Sequence, residues 1–194
     1  MKIDYPSGAT PLDPGEIQGL IPSILTQQEL NQYEKANIGM ALAWTRRSRK
    51  IKKELLSLSG LRSLHKEMFH RVWRWAGDFR SSEKNIGVAP HNIQTDLHNL
   101  CEDVKTWIQY STYNWDEIGV RFHHRLVFIH AFANGNGRHA RISADLLLQF
   151  NKQKVFTWGS RELIEESEVR EMYISALKMA DKGDYGELLA FARR

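Results

Sequence analysis

The sequence predicts a mainly α fold carrying one small β-hairpin flap, and three observations predict it. Apolar residues recur at three- and four-residue spacing along most of the 194 residues. Helix-start signals precede several of those runs. In the middle, residues 77–90 break the helical period with two glycines, a proline and short β-compatible pieces. The division expected is an irregular arm over residues 1–25 and a single helical domain over 26–194. A composition of 42% hydrophobic and 26% charged residues supports a packed core and argues against disorder.

Each element follows from local signals. Pro6, Pro11, Pro14 and Pro22, with Gly8, Gly15 and Gly19 between them, limit the arm to short helical turns. Asp13 before Pro14 fits an N-cap and a first helical position. Thr26 and Glu29 have capping-box spacing, so a long helix starts there and runs to Trp44. A second helix begins near Ser59 and Gly60, with Leu61, Leu64, Met68, Val72 and Trp75 at helical spacing. Residues 78–80 and 85–88 supply the strand-like pieces of the flap. Helical spacing returns with Ile93, Leu97, Leu100, Val104 and Ile108. Asn114 is a good cap for the next helix, with Asp116 and Glu117 in its first turn and Ile118, Phe122, Leu126 and Ile129 on its buried face. A glycine turn follows, then a helix from about Arg138 with Ile142, Leu146 and Phe150 on one face. Two last helices fit residues 162–180 and 185–192.

Charge and cysteine content narrow the function classes. The pI of about 9.2 invites a nucleic-acid reading. Yet Arg46, Arg47, Arg49, Lys50, Lys52 and Lys53 crowd into eight positions, and setting these six aside turns the formal +4 into −2. A genome-binding surface spreads further than this. Two readings stay open for the cluster: a solvated helix end, or a contact for a phosphate-rich or acidic partner. Cys101 is the only cysteine, so no intramolecular disulfide forms, and a cytoplasmic setting is the default. Cys101 lies in an amphipathic run and reads as a buried thiol. No apolar run is long enough to span a bilayer. His123 and His124 are adjacent and point in different directions on a helix. With His139 they read as partly exposed helix histidines rather than zinc ligands.

One stretch carries chemistry: His130-Ala131-Phe132-Ala133-Asn134-Gly135-Asn136-Gly137-Arg138-His139-Ala140-Arg141. A helix, a glycine-rich turn and a second helix make the second N-terminus an anion site. Gly135 and Gly137 supply permissive backbone angles, and Asn136 lies between them. Arg138 and Arg141, three apart, share a helix face and can fork onto phosphate oxygens. His130 can take a proton near neutral pH. Phe132 reads as core. The combination points to a polyphosphate beside a base.

The stretch resembles the signature of the Fic (filamentation induced by cAMP) family, written His-x-Phe-x-Asp/Glu-Gly-Asn-Gly-Arg-x-x-Arg. The segment Trp75-Ala76-Gly77-Asp78-Phe79-Arg80 resembles the approach to that family's flap, and Gly183-Asp184-Tyr185 a common closing turn. The arm and the helix over 26–44 resemble the subgroup called mobile mystery protein B. The resemblance implies a Fic-type helical domain and AMPylation, the transfer of AMP from ATP to a protein Ser, Thr or Tyr hydroxyl. It implies His130 as general base, and Gly135, Asn136 and Gly137 as the anion nest. Arg138 and Arg141 would hold the β and terminal phosphates. Asn85, Ile86, Gly87 and Val88 would hold the target by strand addition.

Asn134 departs from the pattern. The family's acid there binds Mg²⁺, and a neutral amide oxygen is a weaker ligand. Three outcomes stay open: a slower AMPylase using ATP and Mg²⁺, a changed nucleotide or metal preference, or a catalytically impaired nucleotide-binding or nucleic-acid-associated module. Phosphoryl transfer is disfavoured because Gly137 and Arg138 are intact. The resemblance also implies an inhibitory-helix glutamate on the second motif arginine. Glu29 and Glu34 are the nearest candidates and read as a cap and a solvated helix face. The partners expected are a protein bearing the hydroxyl and a separate regulatory, antitoxin-like protein, with nucleic acid and membrane disfavoured. The setting expected is the cytoplasm, or delivery into a host cell.

Overall fold

A computed structural model describes residues 10–160 and 168–194. Nine α-helices lie among these residues: α1 (Pro14–Ile17), α2 (Gln27–Thr45), α3 (Arg49–Glu54), α4 (Leu58–Phe69), α5 (Ile93–Tyr110), α6 (Trp115–Ile129), α7 (Asn136–Phe150), α8 (Glu168–Ala180) and α9 (Gly186–Arg193). The fold is mainly helical, as the apolar spacing predicts. The segment from residue 162 to 167, where the sequence places the start of α8, lies outside the described residues.

Helix starts follow the local signals closely. Thr26 and Glu29 form a reciprocal capping box on α2: Thr26 Oγ1 accepts the Glu29 N–H (3.2 Å) and Glu29 Oε2 accepts the Thr26 N–H (3.1 Å). Asn114 Oδ1 accepts the Glu117 N–H (2.9 Å) at the start of α6. Such a cap contributes about 1 kcal/mol. At α1, Asp13 is the N-cap residue with Pro14 at the first helical position, and the Asp13 N–H donates to Glu16 Oε2 (2.7 Å).

The core has two parts. α6 and α7 pack on each other at the centre, with α5 against α6 and α4 against α2 and α7. Phe69, Trp73, Phe122 and Phe132 are fully buried in the larger part, and Leu12 and Ile24 of the arm are buried with them. Val120, Ala144, Leu148, Phe156, Trp158, Leu188 and Phe191 form the second part, under α8 and α9. Cys101 is buried in the first, which pushes its thiol up to about 11, as a packing residue should be.

Three features differ from the sequence expectation. The basic cluster contains a helix of its own, α3, because Ile51 and Leu55, four apart, are both buried against α4. α4 stops at Phe69 rather than at Trp75. Beyond it the chain pairs with the arm instead: Leu20 bridges Trp73, and the Ile21 N–H donates to the Val72 carbonyl (2.9 Å). The flap is not a paired hairpin. Phe79 bridges Phe132 of the motif, and residues 81–89 form a loop. The loop's partner is the motif backbone, so no second strand is needed to hold it.

Candidate functional site

The motif occupies the joint between α6 and α7. His130 is the C-cap of α6 and adopts a left-handed backbone (φ 53°). Its N–H donates to the Leu126 carbonyl (3.2 Å). The residue is 7% exposed, and both ring nitrogens are buried without a well-formed hydrogen bond among the described residues, the Val127 backbone being a polar group beside them. Burial first, and the nearby Arg80 charge second, push its pKa down to about 4. At neutral pH the imidazole is therefore uncharged and able to accept a proton.

α7 starts without a side-chain cap. Its first main-chain bond to the turn is His139 N–H to the Gly135 carbonyl (2.9 Å). The N–H groups of Asn136, Gly137 and Arg138 therefore lie at an open helix start, where they and the helix dipole favour an anion. Gly135 has φ 79°, and a Cβ there would lie 2.5 Å from the Phe69 ring. The Asn136 side chain is buried and spent on the turn: Oδ1 accepts the Phe132 N–H (2.9 Å) and Nδ2 donates to the Phe132 carbonyl (2.7 Å). Its backbone belongs to the nest; its amide closes the loop that holds His130.

The two arginines diverge, although their spacing places them on one helix face. Arg138 Nη1 donates to Glu34 Oε2 on α2 (2.6 Å), and its guanidinium lies over Phe69. Glu34 Oε1 also accepts the Trp73 indole N–H (2.7 Å). Glu34 is only 3% exposed, which corrects its reading as a solvated helix face. It engages the first motif arginine, not the second. Glu29 is the cap that the sequence expects. Arg141 lies over the Tyr173 ring of α8 (5.4 Å), and a Cβ on Gly137 would be 3.8 Å from both Arg141 Nη1 and the Tyr173 hydroxyl. Tyr173 in turn contacts His123 Nε2 (3.0 Å). Arg141 is thus held at the open end of α7.

Arg80 ties the flap to the motif. Its Nε donates to the His130 carbonyl (2.6 Å), its Nη1 to the Ser82 carbonyl (2.8 Å) and its Nη2 to the Val88 carbonyl. Its own N–H donates to the Ala131 carbonyl (2.9 Å), and the Val88 N–H donates to the Ile129 carbonyl (3.3 Å). Between those anchors, Asn85, Ile86 and Gly87 are exposed, and residues 83–87 make no main-chain hydrogen bond among the described residues. Gly87 has φ 100°, and a Cβ there would meet His130 Cβ at 2.6 Å and Arg80 Nη2 at 2.7 Å. We expect Gly87→Ala to cost about 2 kcal/mol or more, from the backbone angle and the collision together. A urea midpoint unchanged from wild type would contradict that.

Asn134 is half-buried. Its Oδ1 accepts the N–H of Gly135 (2.6 Å), and its backbone carbonyl faces His65 Nε2 (3.0 Å). Since His65 Nδ1 accepts the Gly77 N–H (3.0 Å), Nε2 carries the proton, and the ring stacks on Phe132 at 3.7 Å. Among the described residues no group of three acidic, histidine or cysteine side chains could hold a metal. The one candidate ligand, a neutral and already engaged amide oxygen, does not make a resident metal site.

The other helix histidines are buried, not partly exposed. His123 meets Tyr173, His124 meets Asp181 (2.9 Å) and Tyr185, and His139 Nε2 faces the Leu61 carbonyl (3.0 Å). Burial is the leading cause lowering the pKa of His65, His123, His124, His130 and His139. Each folded pKa lies below the unfolded value near 6.5, so the unfolded chain binds more protons as pH falls. Stability is full above about pH 6.5 and declines toward about 4, where His130 and His139 titrate in the fold. Asp145, which burial raises to about 6, works in the opposite sense, but it is one group against five. Urea midpoints at pH 7.5, 6 and 5 should fall progressively; equal midpoints would contradict this.

The sequence reading gives Arg80, Tyr173 and His65 no role in the site, and it names Glu34 only as a candidate inhibitory glutamate that it reads instead as a solvated helix face. One signal was available for Glu34. Leu30, Glu34, Asn37, Ala41 and Thr45 lie at intervals of four, three, four and four, which is one buried stripe of α2.

A Fic/DOC family model matches residues 55–148. The arm and α2, which carry the subgroup resemblance, precede that span. Protein adenylyltransferase Fic of Aedes aegypti is 25% identical over 144 residues, 72% of this chain and 28% of that protein. The BepC protein of Bartonella tribocorum, a VirB-translocated effector with bound AMPPNP, has a TM-score of 0.70 at 14% identity over 93% of this chain and 97% of that one. Fic-1 from C. elegans has a TM-score of 0.68 at 21% identity, covering 92% of this chain and 51% of that one. The structural likenesses show the fold. The chain spans 28% of the curated relative and about half of the Fic-1 chain. No helix among the described residues is long and apolar enough to cross a membrane.

Proposed function

We propose that the chain, whose residues 55–148 match a Fic/DOC family model, is a protein adenylyltransferase, moving AMP from ATP to a Ser, Thr or Tyr hydroxyl of a protein. The observation that carries the reading is the buried, uncharged His130, whose ring nitrogens are committed to no other side chain among the described residues, next to the uncapped start of α7. ATP phosphates would lie on the N–H groups of Asn136, Gly137 and Arg138, with Arg141 on the terminal phosphates. A target segment would pair with the flap at Asn85, Ile86 and Gly87, whose backbone groups make no hydrogen bond among the described residues, whereas both backbone groups of Val88 are already engaged. The hydroxyl oxygen attacks the α-phosphorus, the bond to the β-phosphate bridging oxygen breaks, and pyrophosphate leaves. His130 takes the hydroxyl proton. Arg80 keeps the His130 backbone and the flap in fixed relation during the transfer.

A divalent cation that arrives with ATP would find Asn134 Oδ1 as its one neutral ligand, so the phosphates must supply most of its shell. We expect Asn134→Asp to raise the apparent Mg²⁺ affinity, read as a leftward shift in the Mg²⁺ dependence of labelling. Superimposable titration curves would sink that idea. The primary test is incubation with ATP labelled at the α or the γ phosphate. α-Label on protein supports the proposal, and γ-label would mean phosphorylation. BepC is a translocated effector, and delivery into another cell is a reading for this chain that a translocation assay tests.

A further inference from the structure

The turn between α2 and α3 gathers charge that the fold itself does not use. Arg46, Arg47, Arg49 and Lys52, with Ser48, face Phe150 at the end of α7 across a cavity of about 290 Å³. Among the described residues no carboxylate lines it. Among the described residues none of these four cations forms an ion pair; Lys50 does, with Glu54 at 4.0 Å.

Local helix electrostatics accounts for little of this. α2 and α7 both end here, and two helix C-termini offer roughly half a negative charge each, about one against four cations. α3 works against the cluster: Ser48 caps it, Arg49 and Lys50 stand in its first turn, and that turn has no acid. Solvation alone explains exposed cations on a convex surface. It does not explain four of them around a concavity with no counter-charge.

We infer that the cavity binds a compact polyphosphate anion, of the size of a di- or triphosphate. Guanidinium forks suit phosphate oxygens, and three are present. The volume is at the lower end for small-ligand sites. The charge is local, since the chain without its six clustered cations is −2, so the surface does not extend to fit a long duplex. The site is also separate from the motif. It lies at the far end of α7, which is 15 residues long, roughly 20 Å from the helix start. The inference does not depend on AMP transfer.

Calorimetric titration with inorganic tripolyphosphate at low salt tests it. Wild type should show two classes of site. Arg47→Glu combined with Arg49→Glu should abolish one class, and Arg141→Ala the other. Lys52→Gln, a milder change, should weaken the first class several-fold with the circular dichroism spectrum unchanged. ATP competing as well as tripolyphosphate at that site would identify nucleotide phosphates as a source; tripolyphosphate alone would identify the free anion. A single class removed by Arg141→Ala overturns the inference. So does a second class that survives the double charge reversal, or an oligonucleotide that binds there and is not displaced by tripolyphosphate.

Discussion

His130→Ala is expected to lower transfer of α-label from ATP by about 10²- to 10⁴-fold, while nucleotide affinity stays within about twofold. The split follows from the geometry. The nest at the start of α7 and Arg141 do not depend on the imidazole, so phosphate binding should survive. Proton removal does depend on it, and no side chain hydrogen-bonds the ring among the described residues. Its low pKa adds a pH signature. The uncharged form persists well below pH 6.5, so the wild-type rate should hold through pH 6 and fail toward about 4. Single-turnover labelling and a separate nucleotide titration measure the two halves. Equal rates in the variant and wild type would remove His130 as the base.

Glu34→Gln is expected to tighten nucleotide binding by about tenfold or more. Glu34 holds Arg138 at 2.6 Å and is buried beside the proposed phosphate site. A unit negative charge about 5 Å from a carboxylate, at an effective dielectric near 20, is repelled by about 3 kcal/mol. Glutamine removes that repulsion and releases the guanidinium, while its carbonyl oxygen still accepts the Trp73 indole N–H. Substitution by alanine would be a poorer test, because it also orphans Trp73. Isothermal titration of wild type and variant with a non-hydrolysable ATP analogue gives the comparison. Unchanged or weaker binding would mean that Glu34 positions Arg138 for the nucleotide rather than competing with it.

The parts legible in sequence were those set by neighbours a few residues apart. Thr26 with Glu29, Asn114 with Glu117, and Asp13 with Pro14 declare their helix starts locally. The motif declares its turn the same way, and the buried role of Phe132 followed from its apolar character. What escaped was set by contacts across the chain. Glu34 and Arg138 are 104 positions apart, Arg80 and the His130 carbonyl 50, and Tyr173 and His123 also 50. No local periodicity encodes such pairs. The histidines were misread for a related reason: each finds a polar partner only after α8, α9 or α4 has packed, and that partner makes burial tolerable. α3 was hidden because its two apolar residues stand among cations that dominate the local composition.

Intact-mass and peptide mass spectrometry of protein incubated with unlabelled ATP decide whether AMP is transferred and whether His130 is needed for it. An AMP adduct is expected on a Ser, Thr or Tyr hydroxyl, in the chain itself or in a lysate protein, present with wild type and absent with His130→Ala. A phosphoryl adduct in its place, or an AMP adduct that persists in His130→Ala, would contradict that expectation.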